Sequence, residues 1–440
     1  MAQTAQMSLP PQNLAGARGP DGIAAPVGTG LRSNFAWTLS GNVVYSACQW
    51  GMLVVLARLG NAEMVGQFAL ALSIITPVLM FSNLQLRSVQ ATDARREYAF
   101  RDYLGLRLLM AGAALGIIII VALATAPTSA TAAVIVVLAV AKGVEAISEI
   151  YYGLLQQHER MERIAISLLL KGVLALGALA LAVFFSQSLL WGAVALVFAA
   201  LVVLAAFDHR SAVLVTDSEC LRPRWQLRSL LGLTKLALPL GLVMFFISLS
   251  ANIPRYFIEH YQGLRDLGVF AALSYLLVAA GRIVLALGES ASPRLAKYYA
   301  AGAYRQFRGL LLRLMLCGVA LGVATVVVVL AAGSELLTFF YGPEYAEHAD
   351  VLLWIAIVGS IGYVASFLGY AMTAARFFFV QAPLFIAVGL STALGCVFLV
   401  PEHGLIGAAW ALGIGMVVQL AGSAAVVAYA LCRTTEGSRP

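Results

Sequence analysis

The sequence predicts an all-α, polytopic membrane protein of about twelve transmembrane helices, in two six-helix lobes related by a pseudo-two-fold axis along the membrane normal. Three observations predict it. Of 440 residues, 61% are apolar and 11% charged, with a mean hydropathy of +0.89, whereas soluble chains carry about 25% charge. The apolar residues form long continuous runs, and the alternation of a membrane β-barrel is missing. The two halves of the chain also repeat one another. Disorder, a coiled coil and a nucleic-acid-binding domain are excluded by the same composition, despite a net charge of +7. The surplus of Lys and Arg reads as topology and pathway charge.

A membrane helix takes about 20 apolar residues. Runs of that kind fall at 34–57, 65–87, 104–124, 130–156, 163–185 and 188–207, then at 231–254, 268–290, 308–332, 351–374, 381–400 and 405–431. Residues 1–31 are rich in Ala, Gly, Pro and Gln, without a basic region leading into an apolar one. They read as a disordered cytoplasmic tail and not as a cleaved signal. An N-terminal lobe follows over 32–207, a polar cytoplasmic linker over 208–230, a C-terminal lobe over 231–431 and a short cytoplasmic tail over 432–440. Of the 28 basic residues, 23 lie on the side that holds both tails, and three (Arg58, Arg255, Arg265) on the other. That bias places both termini in the cytoplasm. The outward loop with Glu335, Glu344, Glu347 and Asp350 agrees.

The repeat rests on two landmarks. Val65-Gly66-Gln67-Phe68 opens the second span and Leu267-Gly268-Val269-Phe270 the eighth; Leu190-Trp191-Gly192-Ala193 opens the sixth and Leu405-Ile406-Gly407-Ala408 the twelfth. Six spans per repeat is even, so the halves share orientation and leave a substrate route between them, the logic of alternating access.

Enzyme signatures are missing. The histidines fall in loops or at span ends, and no Walker A, GxSxG, HExxH or aspartate-rich motif occurs. The five cysteines are scattered without a CxxC pair, which indicates neither metal nor disulfide framework. No catalytic residue, metal or cofactor is assigned. What remains is charge inside the bilayer, which is costly and therefore a candidate for function. Lys142, Glu145, Glu149, Tyr152 and Gln156 succeed one another at steps of three and four, on one helical stripe. Arg282 lies well inside the eighth span, with Glu289 further along. Lys142 and Arg282 are candidates for a cationic cavity; the alternative is internal pairing, Lys142 with Glu145 or Glu149 and Arg282 with Glu289. Lys171 is a further cavity candidate that could instead reach the headgroups, as could Lys235. Arg58 and Arg255, at the outer ends of spans one and seven, are candidates for an outer gate. Pro77, Pro239 and Pro254 mark bends in spans two and seven. The segment from Arg87 to Arg107 reads as simple positive-inside retention.

The chain resembles the polysaccharide-transporter flippases of the multidrug, oligosaccharidyl-lipid and polysaccharide flippase superfamily. The resemblance is carried by Leu56-Ala57-Arg58-Leu59-Gly60 with Gly66-Gln67-Phe68, by Tyr152-Gly153-Leu154-Leu155-Gln156-Gln157-His158-Glu159-Arg160-Met161, by Asn252-Ile253-Pro254-Arg255-Tyr256, by Ser292-Pro293-Arg294-Leu295-Ala296 and by Gly404-Leu405-Ile406-Gly407-Ala408-Ala409-Trp410. It implies a protein of the bacterial inner membrane that moves undecaprenyl-diphosphate-linked oligosaccharide outward, with basic cavity residues holding the diphosphate-sugar head. Its partners would be that lipid-linked substrate, membrane lipids and glycan polymerase or export machinery, with no nucleic acid. The driving force would be a gradient of H+ or Na+, the membrane potential or removal of product. Two rivals are a multidrug cation antiporter, which wants a dominant cavity acid such as Glu145 or Glu149, and a membrane glycan polymerase or acyltransferase.

Overall fold

The computed structural model describes residues 31–93, 97–217 and 221–436. The tail expected over 1–31 lies outside the described residues except for its last position. The first lobe holds α1 (Leu31–Leu59), α2 (Ala62–Asn83), the short α3 (Leu86–Thr92), α4 (Phe100–Thr125), α5 (Ser129–Gln157), α6 (Met161–Ser186), α7 (Leu189–Val203) and α8 (His209–Val213). A π-helical turn, Leu204–Asp208, joins the last two. The second lobe holds α9 (Leu227–Gln262), α10 (Leu264–Leu276), α11 (Val278–Ala300), α12 (Tyr304–Phe340), α13 (Pro343–Ala346), α14 (Ala349–Ala374) and a helical stretch Phe378–Glu436.

That last stretch is a helical hairpin. Gly404 takes φ 54 and ψ −129, a conformation open to glycine and strained for other residues. On either side of it Gly407 lies against Leu399, Gly395 against Ala411, Gly415 against Thr392 and Gly422 against Leu384. Partners that approach symmetrically about one point are the mark of antiparallel neighbours, so the stretch divides into α15 (378–403) and α16 (405–436). Ten helices are long and apolar enough to cross a membrane, and a bent pair, α10 and α11, adds another at an angle of 48°. Division of the hairpin brings the crossings among the described residues to twelve, in the places the hydropathy predicts. Caps set several starts: the Asn61 side chain accepts from the Met64 amide at 2.9 Å, and the Thr128 hydroxyl from that of Thr131 at 3.1 Å.

Two sequence expectations need correction. The linker expected over 208–230 is shorter, because helix continues to Val213 and resumes at Leu227. Asp208 is a fully buried helical residue and not part of a loop. The prolines do not interrupt their spans either: Pro77 sits within α2, and Pro239 and Pro254 within α9. The break in the second span falls at Leu84 and Gln85, two consecutive non-glycine residues with φ of 49 and 50.

The lobes meet where the repeat predicts. A methyl group added at Gly66 would sit 1.8 Å from the Leu264 carbonyl oxygen, and one at Gly268 would sit 1.9 Å from that of Ala62. Each matched glycine thus faces the carbonyl four residues before the other. Reciprocal contact of equivalent residues is what a two-fold axis produces, so the pseudo-axis passes between α2 and α10 at this crossing. Around it one apolar core joins both lobes, with Val65 and Phe68 against Leu267 and Phe270, and reaches Leu337 and Leu352. Towards the basic side the cores separate. One gathers Leu84, Tyr103 and Ile150 of the first lobe with Leu233 of α9; the other gathers Val284, Phe307 and Phe367 of the second lobe. On the side poor in basic residues a single core thus joins the lobes, whereas on the basic side the apolar residues gather in separate clusters.

Candidate functional site

Helix α5 runs through the middle of the first lobe, packed by α2, α3, α4, α6, α7 and α8. Its charged stripe is present and each member has a partner. Lys142 Nζ bonds both oxygens of Glu145, at 3.1 and 2.9 Å. The Tyr45 hydroxyl of α1 donates to the same carboxylate at 3.1 Å. Arg87 Nη1 lies 3.0 Å from Glu149 Oε2, and its Nε donates to Gln156 Oε1 at 3.3 Å. The Lys142 and Glu145 side chains are about a fifth exposed and those of Arg87 and Glu149 about a third. Partial exposure leaves the stripe accessible on a helix otherwise packed within its own lobe.

Behind the stripe lies a second ion pair. Lys171 Nζ donates to the Tyr152 hydroxyl at 2.9 Å and stands 3.8 Å from Asp208 Oδ2. Tyr152 and Ser167 share a hydrogen bond of 2.6 Å, and the Ser167 hydroxyl donates to Asp208 Oδ1. The π-helical turn adds a residue to the end of α7 and so aims Asp208 inward. Lys171 is only 3% exposed and so does not reach the headgroups. Its desolvation is offset by this buried pair, which by itself is weak evidence of stability. Arg107 of α4 is also enclosed, at 2% exposure. One of its Nη groups donates to Asn83 Oδ1, while Nε has no partner.

Arg282 is exposed on α11, as is Glu289, and no ion pair joins either of them to an oppositely charged side chain among the described residues. Lys235 is likewise exposed, on α9. The structure does not bring Arg282 and Lys142 together in any contact, and the two remain separate candidates.

At the end poor in basic residues α1 crosses to the second lobe. The Arg58 guanidinium donates from Nη2 to Thr338 O at 2.7 Å and to Phe339 O, and from Nε to Phe340 O at 3.1 Å. These are carbonyls that α12 leaves unpaired as it ends, a favourable seat for a cation. Trp50 Nε1 donates to the Tyr341 hydroxyl at 2.8 Å, and its ring meets Phe340 edge-on at 4.6 Å. Burial pushes the Tyr341 phenol above its ordinary value, so it stays neutral in this seal. Arg255 differs from Arg58: it bonds Asn252 Oδ1 at 3.0 Å and stacks over Tyr275 at 5.9 Å, both in its own lobe. The other wall is α9 against α2, where the Tyr256 hydroxyl donates to Ser73 O and Phe81 faces Phe245 at 6.2 Å.

Arg58 thus joins the lobes, whereas Arg255 does not. Its hydrogen bonds at an exposed site contribute about 1–2 kcal/mol together, a change of roughly 5- to 30-fold in an equilibrium. In proteolysis or cross-linking of the outer ends, Arg58→Ala should favour the parted lobes by that amount, and Arg255→Ala should leave them unchanged. Equal effects of both substitutions would remove this distinction.

Sequence reasoning missed Arg87, Arg107 and Asp208. The profile of a family described as "Polysaccharide biosynthesis protein" matches residues 31–299, more than half of the chain, and that of MatE matches residues 239–376. The capsular polysaccharide biosynthesis protein CapF of Staphylococcus aureus is 25% identical over 388 residues, 88% of this chain and 96% of CapF. Among solved structures, the lipid II flippase MurJ in an inward closed conformation superposes with a TM-score of 0.66 at 11% identity, over 91% of this chain and 92% of MurJ. An inward-facing multidrug resistance MATE transporter of the MOP superfamily gives 0.62 at 11% identity, over 93% and 96%. The Vibrio cholerae MATE transporter VcmN gives 0.62 at 16% identity, over 93% and 97%. At such identities these structures establish a shared fold.

Proposed function

We propose, from the premise that this chain belongs to the polysaccharide biosynthesis protein family, that it is a flippase for oligosaccharide linked to a polyprenyl diphosphate. It carries the head group from the cytoplasmic to the outer leaflet of the bacterial inner membrane by alternating access. The observation that carries the reading is the partly exposed charged stripe of α5, which we read as facing a cleft between the lobes that is closed at its outer end. A diphosphate with sugars cannot cross hydrocarbon unaided, since burial of its charge and hydroxyls without partners is prohibitive. A cleft with ammonium and guanidinium groups offers charge-assisted bonds to phosphate oxygens, while the polyprenyl tail stays in lipid. The pairing within the stripe keeps those groups neutralised when no substrate is bound.

The MatE match supports a second reading, a multidrug cation antiporter. That activity needs an acid free to bind a cation. Glu145 and Glu149, the acids of the stripe, are each taken by a basic side chain, and the flippase reading is the better supported. CapF, whose name places it in capsular polysaccharide biosynthesis, points the same way.

Deletion of the gene should leave lipid-linked oligosaccharide trapped in the cytoplasmic leaflet. Unpolymerised repeat units outside the membrane would instead indicate a glycan polymerase, and an unchanged glycan with new drug sensitivity an antiporter. The reading also places both termini and the 214–226 linker in the cytoplasm. Cysteines introduced there should react with an impermeant reagent only in opened cells, and reaction in intact cells would reverse the topology.

A further inference from the structure

The geometry points to Arg87 as the residue that takes the anionic diphosphate of the substrate head, with Glu149 as a built-in anion that holds it beforehand and moves aside. The inference rests on the flippase reading and names the ligand of its cleft. It begins with an unusual backbone. Leu84 and Gln85 both adopt the left-handed conformation without being glycine, which is strained and persists where packing enforces it. Leu84 is fully buried, and Gly241 of α9 packs against it. The break turns α3 back into the lobe, and a residue from a run of loop arginines is thereby set beside α5.

Four basic side chains occupy the lobe's interior: Arg87, Arg107, Lys142 and Lys171. Three carboxylates face them: Glu145, Glu149 and Asp208. Glu149 pairs with Arg87. Lys142 is held by both oxygens of Glu145, and Lys171 is sealed behind Tyr152. Arg87 is different. It touches one oxygen of Glu149 and one of Gln156, so most of its five N–H donors are uncommitted. Its guanidinium lies 5.4 Å from the centre of the Tyr152 ring, which fixes the plane, and a third of the side chain is open.

That arrangement suits a phosphate. A planar guanidinium accepts two phosphate oxygens side by side, and the carboxylate in place occupies only part of the fork. Exchange of one anion for another keeps the guanidinium paired throughout. Because Arg87 is on the basic side, which the flippase reading puts in the cytoplasm, it meets the head group as it enters.

The test uses the full-length protein in nanodiscs of zwitterionic lipid. Three probes are titrated: a polyprenyl diphosphate carrying a disaccharide, inorganic pyrophosphate, and phosphatidylglycerol. Melting temperature checks the fold of every variant. The wild type should prefer the polyprenyl diphosphate to phosphatidylglycerol. Arg87→Ala should weaken that binding about tenfold or more, with partial recovery in Arg87→Lys. Glu149→Gln should tighten it severalfold, because the competing anion is gone, and the double variant should fall to the level of Arg87→Ala. A purely structural pair would behave otherwise: Glu149→Gln would weaken binding as Arg87→Ala does. That result, or wild-type affinity in a folded Arg87→Ala variant, overturns the inference. Equal affinity for phosphatidylglycerol would make Arg87 a headgroup anchor and overturn it as well. The flippase reading is scored separately, by translocation of the same lipid in vesicles of wild-type protein. Its failure there and the failure of Arg87 as ligand are thereby distinguishable.

Discussion

Gly66→Leu should abolish transport while the protein still reaches the membrane. At the crossing of α2 and α10 there is no room for any side chain: a Cβ at position 66 would lie 1.8 Å from the Leu264 carbonyl oxygen, and the obstacle is backbone, which cannot turn aside as a side chain would. The lobes must part at their outer end to admit the new group. Overpacking of this kind costs about 1–3 kcal/mol, a shift of roughly 5- to 150-fold between closed and parted states. Gly66→Ala should lie between wild type and Gly66→Leu. Gly112 of α4, where an added methyl group would meet nothing within 4 Å, supplies the control, since Gly112→Leu should transport normally. The measurement is glycan export per unit of protein in the membrane. Export within twofold of wild type from Gly66→Leu would mean that this crossing does not set the closed state.

Lys142→Ala should have the next largest effect, and its combination with a change at Glu145 explains why. Loss of one charge-assisted hydrogen bond to substrate is worth about 1.5–3 kcal/mol, or roughly a 10- to 150-fold weakening. The single variant also strands Glu145 in the lobe with only Tyr45 as donor, so expression should fall too. Lys142→Met with Glu145→Gln removes both charges. Protein level should recover in it while export stays low, because the ammonium needed by the anionic head is still missing. Lys142→Arg should keep much of the export. If the double variant regains export together with expression, Lys142 serves only to neutralise Glu145.

The parts of this structure that were legible in the sequence are those written locally. Twelve apolar runs of sufficient length and segregated Lys and Arg specify the crossings. The matched Gly66 and Gly268 even mark where the pseudo-axis passes, since only glycine permits so close a backbone approach. The stripe from Lys142 to Gln156 was readable from its spacing of three and four. Its partners were not. Arg87 stands among loop arginines, and it is turned inward by left-handed residues at Leu84 and Gln85, where neither glycine nor asparagine gives warning. Asp208 follows an apolar run and reads as the start of a loop, because a π-helical turn shifts the helical phase in a way no residue type announces. The pairing of Lys171 with Asp208 spans 37 positions and depends on how α6 and α7 pack. Arg58 was readable as a cation at the end of its span; that it caps α12 of the other lobe, while Arg255 stays within its own lobe, depends on tertiary structure.

Transfer of the lipid itself tests the central claim most directly. Purified full-length protein is reconstituted into vesicles whose inner leaflet carries a polyprenyl diphosphate bearing a labelled oligosaccharide. A glycosidase added outside then reports each head group that has crossed. The account predicts that the label becomes accessible only in vesicles containing the protein, more slowly with Lys142→Ala and hardly at all with Gly66→Leu. Accessibility that rises no faster with folded wild-type protein than in protein-free vesicles would contradict it.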